Sequence, residues 1–294
     1  MLQKYVQKIL EAYPDLFIHS VTLNENGQNN TVIEVNNTLI FRFPKYQQGI
    51  ADLQAETRLL QFVDKHITLD IPKPIYLNLE SQVVGDVFVG YRMIPGRCFD
   101  MKTFHAIKRI DLRVIARQLS TFLIELHRIP LQGEFIDRLH QNNPYKYWED
   151  MYKRIQNKLF RHMSNEGQLR VRKHFEHFLN EHFLNNALNF QYEPTFVHGD
   201  FGTSNILIEH TLPKVAGVID FGGAHIGDPA IDAAAIMSGY GESFLRLMYE
   251  SYPGLGSAQS RTNFYIGTFA LQEALFGIEN NDEQAFKNGI SNYQ

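Results

Sequence analysis

Within the run His198-Gly199-Asp200-Phe201-Gly202-Thr203-Ser204-Asn205, a carboxylate and a side-chain amide stand five residues apart. The apolar run Ile206-Leu207-Ile208 follows, and Ile219-Asp220-Phe221-Gly222 places a second carboxylate at the end of another apolar stretch. One carboxylate to orient a hydroxyl, with an amide and a second carboxylate to hold a divalent cation, are the donor types that phosphoryl transfer needs. That chemistry asks for positioning more than for covalent steps. A hairpin from Ile206 to Phe221 would return Asp220 beside Asn205. Without that context, the same residues read as a polar turn with Asx caps.

The elements that must position these groups divide along the chain. The first third reads as strands: Leu16 to Leu23, then Thr31 to Val35 and Thr38 to Phe43 joined by Asn36-Asn37, a tight hairpin signal. Ile50 to Val63 has helical periodicity, IPKPIYLNL and QVVGDVFVGYRMI read as strands, and Pro95-Gly96 interrupts the pattern. Beyond it, helices are expected over 110–127, 145–160 and 168–188. A short β-rich insert, TFVHGD, NILIE and KVAGVIDFG, precedes a return to helix after Pro229. The expected organisation is a sheet lobe over 1–95 and a helical lobe over 96–294, with ligands at the boundary.

Composition limits the alternatives. The 294 residues carry 28 Lys and Arg against 32 Asp and Glu, a formal charge of −4, which argues against a protein built to grip nucleic acid. Cys98 is the only cysteine, so no intrachain disulfide forms. The opening MLQKYVQKILEAYPD reads as an amphipathic helix, too polar for a signal peptide core. No run reaches the ~18 apolar residues of a membrane span. The expectation is a soluble, cytoplasmic monomer with neither a nucleic-acid nor a membrane partner.

HGDFGTSN followed by IDFG resembles the catalytic and metal-binding motifs of the aminoglycoside phosphotransferases, small-molecule kinases that share the bilobal protein-kinase fold. The resemblance extends through FRFPK, the helix containing Glu56, the YRMIPG linker, ELH at 125–127 and GDPAID at 227–232. The matching pattern is that of the subgroup modifying the 2″ hydroxyl of gentamicin- and kanamycin-like drugs. It implies an α+β fold with a small N-terminal antiparallel sheet lobe and a larger, mostly helical C-terminal lobe carrying a β-hairpin insert.

Carried over by position, the resemblance makes Asp200 the catalytic base, Asn205 and Asp220 the Mg²⁺ ligands, and His198 a brace of the catalytic loop. The strand lysine of the kinase pattern is matched by Arg42, with Glu56 as its partner. This is a departure, since Arg is bulkier and not interchangeable with Lys. Lys45 is the alternative, although Pro44 is expected to end the strand before it. The phosphate-covering loop is matched by NENGQNN, which has only Gly27 and no GxGxxG. Asn29, Asn30 and backbone N–H groups would reach phosphate oxygens there. Tyr91 would hinder adenine and leave guanine acceptable, with backbone groups of Arg92 and Ile94 reading the purine edge. The alternative is that Tyr91 is a core aromatic.

A cationic acceptor calls for carboxylates in the helical half, and Asp232, Glu242 and Glu279 are candidates, with Asp232 equally readable as a loop brace. AAAIMSGYGESF after GDPAID is poorer in acids than the 2″ pattern. Phe264, Tyr265, Phe269 and Phe276 read as core. His174, His177, Glu176 and His182 read as a solvated helix face, as does the basic stretch 102–117. The sequence thus points to a kinase moving the γ-phosphoryl of GTP or ATP to an aminoglycoside hydroxyl, a role in antibiotic resistance. The alternatives are a kinase of another alcohol (macrolide, choline or a sugar-like metabolite), or a weakly catalytic nucleotide-binding module, motivated by Arg42 and the glycine-poor loop.

Overall fold

The computed structural model of the chain describes residues 2–24, 29–132, 144–180 and 192–294. In chain order the elements are α1 (Leu2–Ala12), β1 (Val21–Asn24), β2 (Asn30–Val35), β3 (Leu39–Pro44), α2 (Gln47–Val63), β4 (Pro74–Asn78) and β5 (Phe88–Arg92). Then come β6 (Arg97–Cys98), α3 (Met101–Ala106), α4 (Arg109–His127), α5 (Pro144–Lys158), α6 (Asn165–Leu179), β7 (Thr195–Val197), β8 (Ile206–Ile208), β9 (Val215–Val218) and β10 (His225–Gly227). Helices α7 (Ala230–Tyr240), α8 (Glu242–Tyr249), α9 (Gln259–Asn280) and α10 (Glu283–Ile290) complete the chain. This is the expected α+β composition. Two compact units form, one from residues 1–129 with 203–224, the other from 130–202 with 225–294.

The first unit is built on an antiparallel sheet in the order β1-β2-β3-β5-β4. Asn36 and Asn37 sit at φ 56° and 54°, the paired left-handed conformation of a two-residue hairpin, and Thr38 N–H donates to Val35 O at 3.1 Å. Asn36 also accounts for a shorter first strand than expected. Its Oδ1 accepts from His19 N–H at 2.9 Å and Ser20 N–H at 3.2 Å, and its Nδ2 donates to Phe17 O at 2.7 Å. These bonds hold the preceding backbone away from the ladder until Val21.

Strand alternation then sorts the side chains. Phe41, Phe43 and Phe88 join Ile9, Ile33 and Val35 in a buried core on the α1 side. The opposite face carries Val89 and Tyr91 against Ile50 and Leu53 of α2. Arg42, paired in register with Val89, belongs to that second face. Gly90 is required where it stands, because a Cβ there would lie 2.5 Å from the Phe41 ring. The strand expected from Gln82 begins only at Phe88, since Asp86 N–H closes a turn onto Val83 O and Gly85 adopts φ 91°.

The β8–β9 hairpin belongs to this unit and adds β6, a two-residue strand not anticipated from sequence, on its other edge. The second unit is helical around an aromatic core. Phe178 and Phe264 stack at 3.5 Å, Trp148 meets Phe264 edge-on at 5.0 Å, and Phe175, Tyr265 and Leu271 are buried with them. Phe264 and Tyr265 are therefore core residues, and Phe269 packs partly buried against the same cluster. Among the described residues its strands are β7 and β10, which pair with one another.

Candidate active site

In the first unit, the hairpin does what its sequence promised. Ile206 pairs with Val218, and Ile219 N–H donates to Asn205 O at 2.9 Å, so Asp220 emerges directly beside the Asn205 backbone. Asp220 sits at φ 63° and ψ 76°, a sparsely populated conformation for a non-glycine residue. Its Oδ1 accepts from Gly222 N–H at 3.4 Å. The Asp220 side chain is half exposed while Asn205 is buried.

Arg42 faces this carboxylate from β3. Its Nη1 donates to Glu56 Oε1 at 2.6 Å, and its Nη2 stands 3.8 Å from Asp220 Oδ1. Burial works against the guanidinium charge, but Glu56, Tyr91 and Asp220 together hold it firmly protonated. Lys45 lies beyond the end of β3, its N–H donating to Asn29 O at 3.0 Å. Burial pushes the Tyr91 phenol up to about 12, with the Arg42 cation opposing that rise. Arg92 is exposed at the end of β5, Met93 N–H donates to Thr38 O at 2.8 Å, and Ile94 lies against Gly217 of β9. A Cβ at Gly217 would meet Asp70 O at 2.5 Å and Ile94 Cγ2 at 3.0 Å.

The other part of the motif lies in the second unit. His198 is fully buried after β7. Its N–H and that of Gly199 donate to the two oxygens of Asp232, at 3.0 and 2.9 Å. The Asp200 N–H donates to His198 Nδ1 at 3.3 Å, and Gly199 adopts φ 78°. His198 thus uses its ring to shape the loop, as expected. Asp200 itself is exposed.

Asp232 has no exposed surface, so its carboxylate serves the loop from within. Glu242 is exposed and bound to Arg246 Nη2 at 2.7 Å. Glu279 accepts from Arg154 Nε at 3.1 Å and Lys158 Nζ at 2.8 Å. Burial raises its carboxyl, but these two cations outweigh that and hold it below the usual range.

The second unit also holds a buried ion pair that the sequence did not reveal. Arg261 Nε donates to the buried Asp228 Oδ2 at 2.7 Å, and Tyr265 Oη donates to the same oxygen at 3.0 Å. Burial raises the Asp228 carboxyl, and Arg261 opposes it. The available signal was a lone cation in α9, whose 22 residues contain no other Lys or Arg.

Among the described residues, no three His, Cys, Asp or Glu side chains gather as a metal centre. His174 instead stacks on Phe264 at 5.0 Å, with Nε2 2.9 Å from Phe264 O, and His182 lies outside the described residues, as does Gly27. Asn205 and Asp220 offer oxygen donors and a single negative charge. That set fits a magnesium ion, which keeps several waters and completes its shell with phosphate oxygens.

A family model described as a phosphotransferase enzyme family matches residues 20–260. Viomycin phosphotransferase of Streptomyces vinaceus is 32% identical over 184 residues, 61% of this chain and 61% of that protein. The match therefore spans less than two thirds of this curated relative. Among solved structures, the GDP complex of wild-type aminoglycoside 2′-phosphotransferase-IIIa superposes with a TM-score of 0.87 at 24% identity, covering 98% of this chain and 96% of that one. The GDP and kanamycin complex of APH(2″)-IIIa gives 0.86 at 25% identity, with the same coverage. These likenesses establish the fold.

Proposed function

The chain belongs to the phosphotransferase enzyme family, and on that premise we propose that it is a magnesium-dependent small-molecule kinase. It would transfer the γ-phosphoryl of GTP or ATP to a hydroxyl of an aminoglycoside. The observation that carries the reading is the bond from Ile219 N–H to Asn205 O, which supports one metal site made by Asn205 and Asp220. Magnesium bound there supplies charge neutralisation of the phosphates.

This chain's own residues do the rest. Asp200 accepts the acceptor hydroxyl's proton and aims its oxygen at the γ-phosphorus. Arg42, fixed by Glu56, holds phosphate oxygens with the charge that the usual Lys supplies. Tyr91 hinders adenine and leaves guanine acceptable, while backbone groups of Arg92 and Ile94 read the purine edge. Asp232 braces the Asp200 loop, while Glu242 and Glu279 offer charge to the acceptor. The division of labour between residues 1–95 for the nucleotide and 96–294 for catalysis and acceptor, and the monomeric cytoplasmic state, are parts of the same proposal.

A second reading is favoured by one observation: Glu242, Glu279 and Asp232 already have internal partners. An acceptor with fewer positive charges, such as a macrolide, would not need to displace them. The test is nucleotide consumption by wild type and Asp200→Ala across kanamycin, gentamicin, viomycin and a macrolide, with GTP and with ATP. Wild-type turnover that Asp200→Ala abolishes supports the kinase. Nucleotide binding with no acceptor phosphorylated favours the non-catalytic module. A clear ATP preference removes Tyr91 as a purine gate.

A further inference from the structure

Tyr91 and Arg42 are linked by the sheet itself. In the antiparallel β3–β5 ladder, Ile40 pairs with Tyr91 and Arg42 with Val89, so Tyr91 is the diagonal same-face neighbour of Arg42. The Tyr91 ring packs on Ile50, Leu53, Val87 and Val89, against the turn of α2 that precedes Glu56. On that face its phenol comes near the Arg42 cation, which opposes the burial-driven rise of its pKa. Arg42 and Glu56 are both nearly buried, with side chains 12% and 7% exposed.

An arginine in this place poses a problem that a lysine does not. A lysine ammonium is a point charge that one carboxylate holds well, whereas a planar fork must also be fixed in orientation. Glu56 binds only one arm of the fork, and the other stands 3.8 Å from Asp220, too far for a hydrogen bond. Rotation about the Glu56 contact would swing that second arm. A phenol oxygen reaching the guanidinium would supply the missing anchor, and the packing of the ring would give it a fixed position.

We propose that Tyr91 is a positioning residue: its hydroxyl oxygen accepts from the Arg42 guanidinium and sets the arm that faces Asp220 and the nucleotide phosphates. The proposal rests on the reading of Arg42 as the phosphate-holding cation. It is separate from any gating of the purine, because a gate works through ring bulk and an anchor works through one oxygen.

Tyr91→Phe separates the two, since it keeps the bulk and removes the oxygen. The measurement is calorimetric affinity for magnesium with GTP and with ATP, in wild type, Tyr91→Phe, Arg42→Lys and the double variant, alongside thermal unfolding. The expected result is a loss of about tenfold for both nucleotides in Tyr91→Phe, the size of one hydrogen bond to a charged group, with the GTP:ATP ratio unchanged and unfolding still cooperative at a somewhat lower midpoint. In the Arg42→Lys background the same change should do nothing, because no fork remains to orient. Wild-type affinity in Tyr91→Phe, or the same loss in both backgrounds, overturns the proposal. A shift in the GTP:ATP ratio without a common loss also overturns it, leaving Tyr91 as a base contact. If Arg42→Ala binds both nucleotides as wild type does, it is the phosphate reading of Arg42 that falls, and the anchor with it.

Discussion

Asp232 holds the backbone of Gly199 from beneath, its Oδ1 accepting the N–H at 2.9 Å inside a fully buried setting. With its second oxygen on His198 N–H, one carboxylate satisfies two consecutive donors of the turn that delivers Asp200. An amide cannot do this, because its nitrogen would confront one of those N–H groups. Asp232→Asn is therefore expected to cost about 1–3 kcal/mol of stability and to lower kcat as the loop relaxes. Urea unfolding paired with steady-state kinetics measures both, and a variant unchanged in each would exclude the bracing role.

Asp200 is exposed, and its backbone is fixed by the bond from its N–H to His198 Nδ1. Asp200→Ala should reduce kcat by about 10²-fold or more while nucleotide affinity and the unfolding midpoint stay near wild type. Retained turnover would remove Asp200 as the base.

Glu56→Gln should be costly for a different reason. It leaves the nearly buried Arg42 charge without its carboxylate, and breaking a buried pair from one side costs about 3–5 kcal/mol. Denaturant midpoints would show this without any substrate. A change smaller than that of an ordinary surface pair would mean Asp220 or water takes over.

His174 predicts a pH dependence. Burial depresses its pKa below the ordinary 6.5, the nearby His177 acts the same way, and the Phe264 carbonyl only partly opposes them. A part-buried neutral histidine costs nothing above its unfolded pKa. As pH falls below about 6.5 the unfolded chain takes up a proton that the native state resists, so stability is lost. Thermal midpoints between pH 7 and 5 should fall less steeply in His174→Gln than in wild type. Parallel curves would discard the assignment.

Local signals carried much of this architecture. Asn36-Asn37 between two β-branched runs, and the apolar runs flanking HGDFGTSN and IDFG, are short-range patterns whose structural outcome depends on few distant contacts. Arg42 opposite Glu56 was readable because strand alternation and helix periodicity each fix a face. What escaped were features made by distance. Strands β6 and β10 have two and three residues and no periodicity of their own, and exist only through partners elsewhere. The pairing of Glu279 with Arg154 spans 125 residues, so the cations that hold this carboxylate could not be seen from its local sequence. The pairing of Arg261 with Asp228 escaped in the same way.

The pairing of β6 with β8 has a consequence for biosynthesis. Cys98 donates to Ser204 O across 106 residues, and β6, which contains it, has no strand to pair with until β8 has been made. At translation rates of about 5–20 residues per second, the first unit waits several seconds or more after its sheet emerges before its last hairpin can close. During that interval the nascent chain holds Arg42 and Glu56 without Asn205 or Asp220. The first unit is thus begun first and finished late, with a large part of the second unit synthesised in between.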